Sequence, residues 1–142
     1  MNETVDTLEL PARLDSLDTF LAFVMEEAKR AGASQGLLED IRLCMEEVLT
    51  NVFFHAYPDS EGRVAVRFST QSDGTLHLEI TDWGMAFNPL AFEATDLERD
   101  FSDRDVGGMG IVLARELSHR MFYERSGDAN HLKMMFVLDL GS

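Results

Sequence analysis

The sequence has few basic residues, and this shortage argues against two kinds of partner. Twelve Lys and Arg residues stand against 26 Asp and Glu residues, which gives a formal net charge of −14. A surface of this sign repels a phosphate backbone, so no direct binding to nucleic acid is expected. It also disfavours docking on an anionic membrane surface.

Cysteine and long apolar runs are also scarce. Cys44 is the single cysteine, which excludes an internal disulfide framework, and it is expected to be a small core residue. No apolar run approaches the roughly 20 residues of a membrane-spanning helix. The first twenty residues lack the apolar core of a secretory leader, because they carry Glu3, Asp6, Glu9, Arg13, Asp15 and Asp18. The sequence therefore predicts a cytoplasmic protein.

What is present is the composition of a folded domain. Apolar residues make up 45% and charged residues 27% of the 142 residues, which are ordinary values for a globular chain. A chain of this length suits one domain, so residues 1–142 are expected to form a single one.

The spacing of apolar residues predicts an α+β fold. Helical spacing predicts one helix opened by Asp15 or Ser16 and closed by Gly32, and a longer helix over 37–55 after the candidate N-cap Ser34. Alternation predicts strands at 5–10, 64–68, 76–80 and 132–138, with 121–125 leading into the last. Helices and hairpins in this order predict a two-layer sandwich, with helices covering one face of a mixed, mainly antiparallel sheet.

Five side chains of the long helix lie away from its main apolar face. Glu47, Asn51 and His55 follow one another at four-residue spacing, so they form one polar stripe at the margin of the core, where a pocket would open. A solvated helix flank is the simpler alternative. Leu43 and Phe54 lie opposite the apolar face, and are expected either to be covered by the first helix or strand or to mark a dimer contact.

Asp82 continues the alternation of the strand that precedes it. Leu76, Leu78 and Ile80 share its parity, so its carboxylate is expected to point toward the apolar face. A buried acid needs a partner, which a ligand donor such as an exocyclic amine would supply. The alternative is that pairing stops before Asp82 and the residue begins a turn.

A glycine-rich segment precedes another predicted helix. Gly107-Gly108-Met109-Gly110 lets the backbone approach a ligand, and a helix N-terminus presents unpaired N–H groups to an anion. No Walker lysine follows, and no parallel β-α-β unit surrounds the segment, so it is neither a P-loop nor a dinucleotide-binding site.

Taken together, these motifs resemble a known family. The chain is similar to the GHKL ATPases, and within them to the small serine kinases that act as anti-sigma factors in bacteria. The similarity covers nearly the whole chain, and its motifs are Leu10-Pro11-Ala12, Glu46-Glu47-Val48-Leu49-Thr50-Asn51, His55-Ala56-Tyr57, Asp82-Trp83-Gly84, Phe87-Asn88-Pro89, Gly107-Gly108-Met109-Gly110-Ile111 and Asn130. It implies the Bergerat type of two-layer sandwich.

The resemblance implies roles for the helix stripe and the strand end. Asn51 would bind a Mg²⁺ ion that bridges the phosphates of ATP, and Glu47 would be the general base toward a serine hydroxyl. His55 would lie near the Mg²⁺–phosphate region. Asp82 would accept a hydrogen bond from the adenine amino group, and Gly84 would allow close approach.

Further positions complete the implied ATP site. Phe87 belongs to it, and the segment 92–106 would form a lid. Some family members carry an arginine near the γ-phosphate directly before the glycine segment, where this chain has Val106, and Arg104 is the nearest substitute. The residues expected to surround the phosphates are Gly107, Gly108, Met109 and Gly110.

The implied activity is Mg²⁺-dependent transfer of phosphate from ATP to a serine of an anti-anti-sigma (STAS) protein. A sigma factor would be the second partner, and a homodimer is also implied. Val106, Met85-Ala86 and His119 depart from the family pattern, which leaves open a nucleotide-gated anti-sigma module without kinase activity. Two further hypotheses are the catalytic core of a histidine kinase, acting on a separate phosphoacceptor, and a structural protein that binds no nucleotide.

Overall fold

Alternating apolar residues build a five-stranded sheet in the computed structural model, which describes residues 5–91 and 113–138. The strands are β1 (Val5–Pro11), β2 (Arg63–Thr70), β3 (Thr75–Asp82), β4 (Arg120–Ser126) and β5 (Ala129–Val137). They lie in the order β1-β2-β3-β5-β4, and all four neighbouring pairs are antiparallel. The expectation of a mainly antiparallel sheet is confirmed for the described strands.

Two helices cover one face of this sheet. They are α1 (Leu17–Arg30) and α2 (Gln35–His55), and residues 113–117 add a short helical segment. Ser34 caps α2 as predicted, because its Oγ accepts a hydrogen bond of 3.2 Å from the Leu37 N–H. None of the helices in the described ranges is long and apolar enough to cross a membrane.

The core lies between the helices and the sheet. Every second residue of β2 and β3 is buried against the helices, and the strand side chains of this layer are Val64, Val66, Phe68, Leu76, Leu78 and Ile80. Phe20 and Val24 of α1 and Ile41 and Met45 of α2 meet them in the same cluster. Each large side chain buried in this way contributes about 1.5–3 kcal/mol to stability.

Two expectations for α2 have different outcomes. Cys44 is a core residue as predicted: its thiol donates to the Ala114 carbonyl at 3.5 Å, and burial raises its pKa to about 12. The expectation that Phe54 is covered by the first helix or strand is wrong, because its side chain is 65% exposed. Phe54 therefore lies on a solvent-facing side of α2 among the described residues. Leu43 is half-buried.

Two hairpin turns place a glycine in a backbone conformation that other residues rarely adopt. Gly74 between β2 and β3 and Gly127 between β4 and β5 have positive φ values of 88° and 61°, which glycine adopts at low cost. The last strand begins at Ala129, three residues earlier than its apolar alternation predicts, and this places Asn130 inside the sheet.

Candidate functional site

Four of the predicted site residues line one cavity between the end of α2 and the sheet. They are Asn51, His55, Asp82 and Phe87. The cavity has a volume of about 20 Å³, which is room for about one water molecule. The His55 and Phe87 rings stack with their centroids 4.6 Å apart and their planes 17° apart. A nucleobase would therefore enter only after a lining side chain such as Phe87 moves.

Asn51 is the most informative residue of the helix stripe. It is 2% exposed, so the stripe is not a solvated flank at this position. Its Nδ2 is buried and has no hydrogen-bond partner among the described residues. An unpaired buried amide costs roughly 1–3 kcal/mol, and an oxygen-rich ligand in the cavity would remove that cost.

Glu47 lies one helical turn before Asn51 and is half-buried. Burial is the main cause that raises the pKa of its carboxyl group, and repulsion from Glu46 adds to it. A raised pKa increases the proton affinity of a carboxylate, which is the property a general base requires. Glu47 is outside the cavity lining, so a group that it deprotonates would lie beside the cavity.

Asp82 is the last residue of β3 and points into the core side, as its parity predicts. It is 5% exposed, and its backbone lies opposite Val64 on one side and Asn130 on the other. The alternative in which pairing ends before Asp82 is therefore wrong. Its Oδ1 accepts hydrogen bonds of 2.9 Å from the Gly84 N–H and from Asn130 Nδ2.

Gly84 is required by the helix that lies against it. A Cβ at this position would be 2.0 Å from the carbonyl oxygen of Ala56, the residue that follows α2. The neighbouring Met85 N–H donates to the same oxygen at 2.9 Å. The close approach that glycine allows here is to the end of α2, and it holds the loop after β3 against the helix that carries Asn51.

Tyr57 holds the same loop, a role that its place in a sequence motif does not reveal. Its hydroxyl donates to the Arg63 carbonyl at 2.7 Å and accepts from the Trp83 N–H at 2.8 Å. Burial is the largest of the causes that raise its pKa. Arg125 completes the bracing, since its Nη1 donates to the Gly84 carbonyl at 2.9 Å.

Sequence reasoning gave no role to two more residues that line the cavity, Tyr123 of β4 and Asn130 of β5. Asn130 belongs to the family motifs but has no role assigned by them, and Tyr123 is one residue of a short predicted strand. The structure brings both of them to Asp82 through the β3–β5 and β4–β5 registers.

Several predicted positions lie outside the described residues. They are the lid segment 92–106 with Arg104, and the glycine segment Gly107, Gly108, Met109 and Gly110. The described part of the site therefore comprises the helix stripe and the strand end, which the family resemblance connects with Mg²⁺ and with the nucleobase.

A larger hollow lies on the opposite face of the sheet. It has a volume of about 440 Å³, and basic side chains from three strands line it, namely Arg67, Arg120 and Lys133. None of the predicted residues in the described ranges contributes to it. The smaller cavity is the better candidate, because it is lined both by Asn51, whose Nδ2 has no partner among the described residues, and by the strand-end carboxylate of Asp82.

The fold and the site together define a class of protein, an ATPase domain of the histidine-kinase type. The chain belongs to this family: the sequence profile described as "Histidine kinase-like ATPase domain" matches residues 10–136. The resemblance drawn from the motifs is thereby confirmed.

Two relatives of this chain are named as serine or serine/threonine kinases. The chain is 29% identical over 134 residues to the serine/threonine-protein kinase BtrW of Bordetella bronchiseptica, covering 94% of each chain. It is 33% identical over 127 residues to the serine-protein kinase RsbW of Bacillus pumilus, covering 82% of this chain and 77% of that one.

A solved structure shares the fold. It contains the RsbU and RsbW domains of Rv1364c from Mycobacterium tuberculosis, and it matches with a TM-score of 0.66 at 18% identity. The match covers 94% of this chain and 32% of that one. At this identity the likeness supports the two-layer fold alone.

Proposed function

We propose that this chain is an ATP-dependent serine-protein kinase that also binds a sigma factor. Its substrate is a serine of an anti-anti-sigma (STAS) protein, and its setting is a cytoplasmic partner switch. Two relatives that match over most of their length are named a serine/threonine-protein kinase and a serine-protein kinase. The single observation that carries the proposal is the cavity that Asn51 and Asp82 line together, where the buried Asn51 Nδ2 has no partner among the described residues and the Asp82 carboxylate is also buried.

The described residues fit the adenine end of an ATP molecule. Asp82 presents a buried carboxylate in the cavity, and a carboxylate accepts from the exocyclic amine of adenine. Phe87 and Ile80 add apolar surface to the same cavity for the base. Ligand sites are commonly built in this way, from apolar walls with few polar groups.

Asn51 fits a Mg²⁺–phosphate complex. Asn51 lines the cavity, and amide oxygens are among the ligands that Mg²⁺ accepts. Its Nδ2, which has no partner among the described residues, is a donor and suits a phosphate oxygen rather than the ion. A single protein oxygen is sufficient for this ion, which keeps waters and phosphate oxygens as its other ligands. When bound, Mg²⁺ would neutralise the charge that develops on the transferred phosphate.

Glu47 would accept the proton of the substrate serine. It lies on the same stripe as Asn51, four residues earlier, and its raised pKa makes it a stronger base than an exposed glutamate. The serine oxygen attacks the γ-phosphorus, the bond to the β-phosphate oxygen breaks, and the serine proton passes to Glu47. The products are phosphoserine and ADP.

Phosphate transfer and ATP binding are tested separately. The probes are Mg²⁺ with γ-labelled ATP, and STAS-domain proteins of the source genome purified one at a time. Transfer to a serine of one of them by the wild-type chain is expected. Glu47→Gln is expected to keep ATP affinity within about threefold and to lose at least ~100-fold in transfer rate.

The second part of this test measures ATP affinity after substitution of Asp82 at the end of β3. Asp82→Asn replaces the acceptor oxygen and is expected to lose at least ~100-fold in ATP affinity. Asp73→Asn, in the exposed turn between β2 and β3 at the opposite end of β3 from Asp82, is the matched control and is expected to bind ATP normally. Undiminished transfer by Glu47→Gln would exclude Glu47 as the base.

A nucleotide-gated anti-sigma module without kinase activity is the second candidate. The departures that favour it are Val106, where some members carry arginine, and His119, where members often carry an acid. The two candidates differ in one result. ATP binding with no label on any STAS protein, together with binding of a sigma factor, would establish the second.

A further inference from the structure

Asn130 uses all of its hydrogen-bonding capacity inside the site. Its Nδ2 donates to Asp82 Oδ1 and to the Met85 carbonyl, both at 2.9 Å. Its Oδ1 accepts from the Tyr123 hydroxyl and, at 3.5 Å, from the Phe87 N–H. The residue is 5% exposed. An amide group has two donors and two acceptor lone pairs, so all four are occupied.

These partners fix the orientation of the Asn130 amide. Met85 offers a carbonyl oxygen and Asp82 a carboxylate oxygen, and both of these only accept, so the NH₂ group must face them. The Phe87 N–H only donates, so the oxygen must face it. Turning the amide over would place oxygen against oxygen on one side and N–H against N–H on the other.

The fixed amide determines which oxygen of Asp82 is available. All hydrogen bonds from described residues to this carboxylate go to Oδ1, one from Asn130 and one from the Gly84 N–H. With Oδ1 held from two directions, the carboxylate plane cannot rotate without breaking at least one of them. Oδ2 is left as the acceptor that a ligand would use.

We propose that Asn130 and Tyr123 are positioning residues for purine recognition. Together they hold the Asp82 carboxylate so that Oδ2 accepts the 6-amino group of the base, and they thereby set the preference for adenine. This inference rests on the proposed function, in which Asp82 is the acceptor for that amine. Asn130 itself would not contact the base, because its donors and acceptors are already occupied.

Tyr123 acts one step further from the base. It lies on β4 opposite Leu132, beyond Asn130 as seen from Asp82. Its hydroxyl donates to Asn130 Oδ1. Without this hydrogen bond the Asn130 amide would be freer to turn or move. Removing that hydroxyl leaves Asp82, Gly84 and Met85 in place, so its effect is expected in the same direction as that of Asn130 and smaller.

The test compares two ligands that differ by one group. ATP and the triphosphate of purine riboside differ only in the 6-amino group, so the ratio of their dissociation constants isolates the contact made by that amine. For the wild-type chain we expect purine riboside triphosphate to bind about tenfold or more weakly, as for a hydrogen bond to a charged acceptor. In Asn130→Ala the ratio is expected to fall to about twofold, and in Tyr123→Phe to an intermediate value.

Asn88→Ala is the matched control. Asn88 is exposed and its Oδ1 accepts from the Leu90 N–H at 2.9 Å, so it loses a similar bond without touching Asp82, and its ratio is expected to equal that of the wild type. A structural role of Asn130 would weaken both ligands equally and leave the ratio unchanged, which would overturn the proposal. If Asn130→Ala does not fold, Tyr123→Phe carries the test alone.

Two results with the wild-type chain separate this proposal from the proposed function. If ATP binds but the ratio is one, the base is recognised elsewhere and the positioning role fails while ATP binding stands. If ATP itself does not bind, the proposed function fails and this inference fails with it.

Discussion

The two ends of the cavity are built differently, although each centres on a buried asparagine. Asn130 at the strand end has four hydrogen bonds, whereas Asn51 on α2 has a buried Nδ2 without a partner among the described residues. A satisfied amide stabilises the folded chain, and an unsatisfied one costs free energy until a ligand arrives. One end is therefore preorganised by the protein, and in the proposed function the other would be completed by the ligand.

The rigid end depends on the contact between the loop after β3 and the end of α2. In Gly84→Ala the new Cβ would lie 2.0 Å from the Ala56 carbonyl oxygen, and a backbone atom there cannot move aside as a flexible side chain would. We expect a loss of about 3 kcal/mol in the free energy of unfolding, measured by urea denaturation, together with loss of ATP binding.

Gly36→Ala is the matched control for this substitution. Gly36 lies in the first turn of α2, and a Cβ there would meet nothing within 4 Å. Alanine is a better helix former than glycine, so a gain of about 0.5 kcal/mol is expected. Equal effects of the two substitutions would show that the loop is not held tightly against α2 and would remove the contrast between the two ends.

Local sequence patterns predicted the parts of this site whose determinants lie within one element. Four-residue spacing predicted that Glu47, Asn51 and His55 lie on one side of the helix. Two-residue alternation predicted that the Asp82 side chain points toward the core. Patterns of this kind describe one helix or one strand at a time. The same limit explains the error at Phe54, since its exposure depends on where α1 and β1 lie relative to α2.

Residues that act through distant partners were beyond those patterns. Asn130 meets Asp82 across 48 positions of sequence and Met85 across 45, and only the antiparallel register of β3 and β5 brings them together. Tyr57 joins Arg63 and Trp83 in the same way, by a hydroxyl that no spacing rule locates. The reason for Gly84 also required the fold, because the atom that it accommodates belongs to the residue that ends α2.

The two asparagines are expected to respond in opposite directions to the same substitution. Asn130→Leu leaves the Tyr123 hydroxyl and the Met85 carbonyl without their hydrogen-bond partner, so a loss of about 2 kcal/mol in unfolding free energy is expected. Asn51→Leu removes a buried Nδ2 that has no partner among the described residues and keeps the number of side-chain heavy atoms, so a gain of about 1 kcal/mol is expected without ligand. Both are measured by urea denaturation of the ligand-free chain.

Bound Mg²⁺-ATP is expected to reverse the effect of Asn51→Leu on stability. Saturating Mg²⁺-ATP is expected to raise the melting temperature of the wild-type chain, and Asn51→Leu is expected to lose that increase. A destabilising effect of Asn51→Leu in the ligand-free chain would mean that the amide has a partner of its own, and the distinction between the two ends would then be wrong.

The smallest expected effect concerns Glu47 and its pH dependence. Its folded-state pKa is raised above the ordinary value of 4.5, mainly by burial. Between the unfolded and folded pKa values the folded chain therefore binds more protons than the unfolded chain, and stability falls as pH rises through this window. Above the window the ionised, half-buried carboxylate costs free energy, and below it the cost disappears. Glu47→Gln removes the ionisation and is expected to stabilise the chain by about 0.3 kcal/mol at pH 7, a small value because water screens a half-buried group.

The measurement tests whether the stabilising effect of Glu47→Gln is larger at high or at low pH. Urea denaturation at pH 7 and near pH 4 is expected to show the gain of Glu47→Gln at the higher pH and its decline at the lower one. Glu39→Gln is the control within α2: Glu39 is exposed and accepts from Gln35 Nε2 at 3.3 Å, so no such gain is expected. A gain that grows as pH falls would mean that the Glu47 carboxylate is stabilised in the fold. The helix end of the cavity would then be preorganised like the strand end.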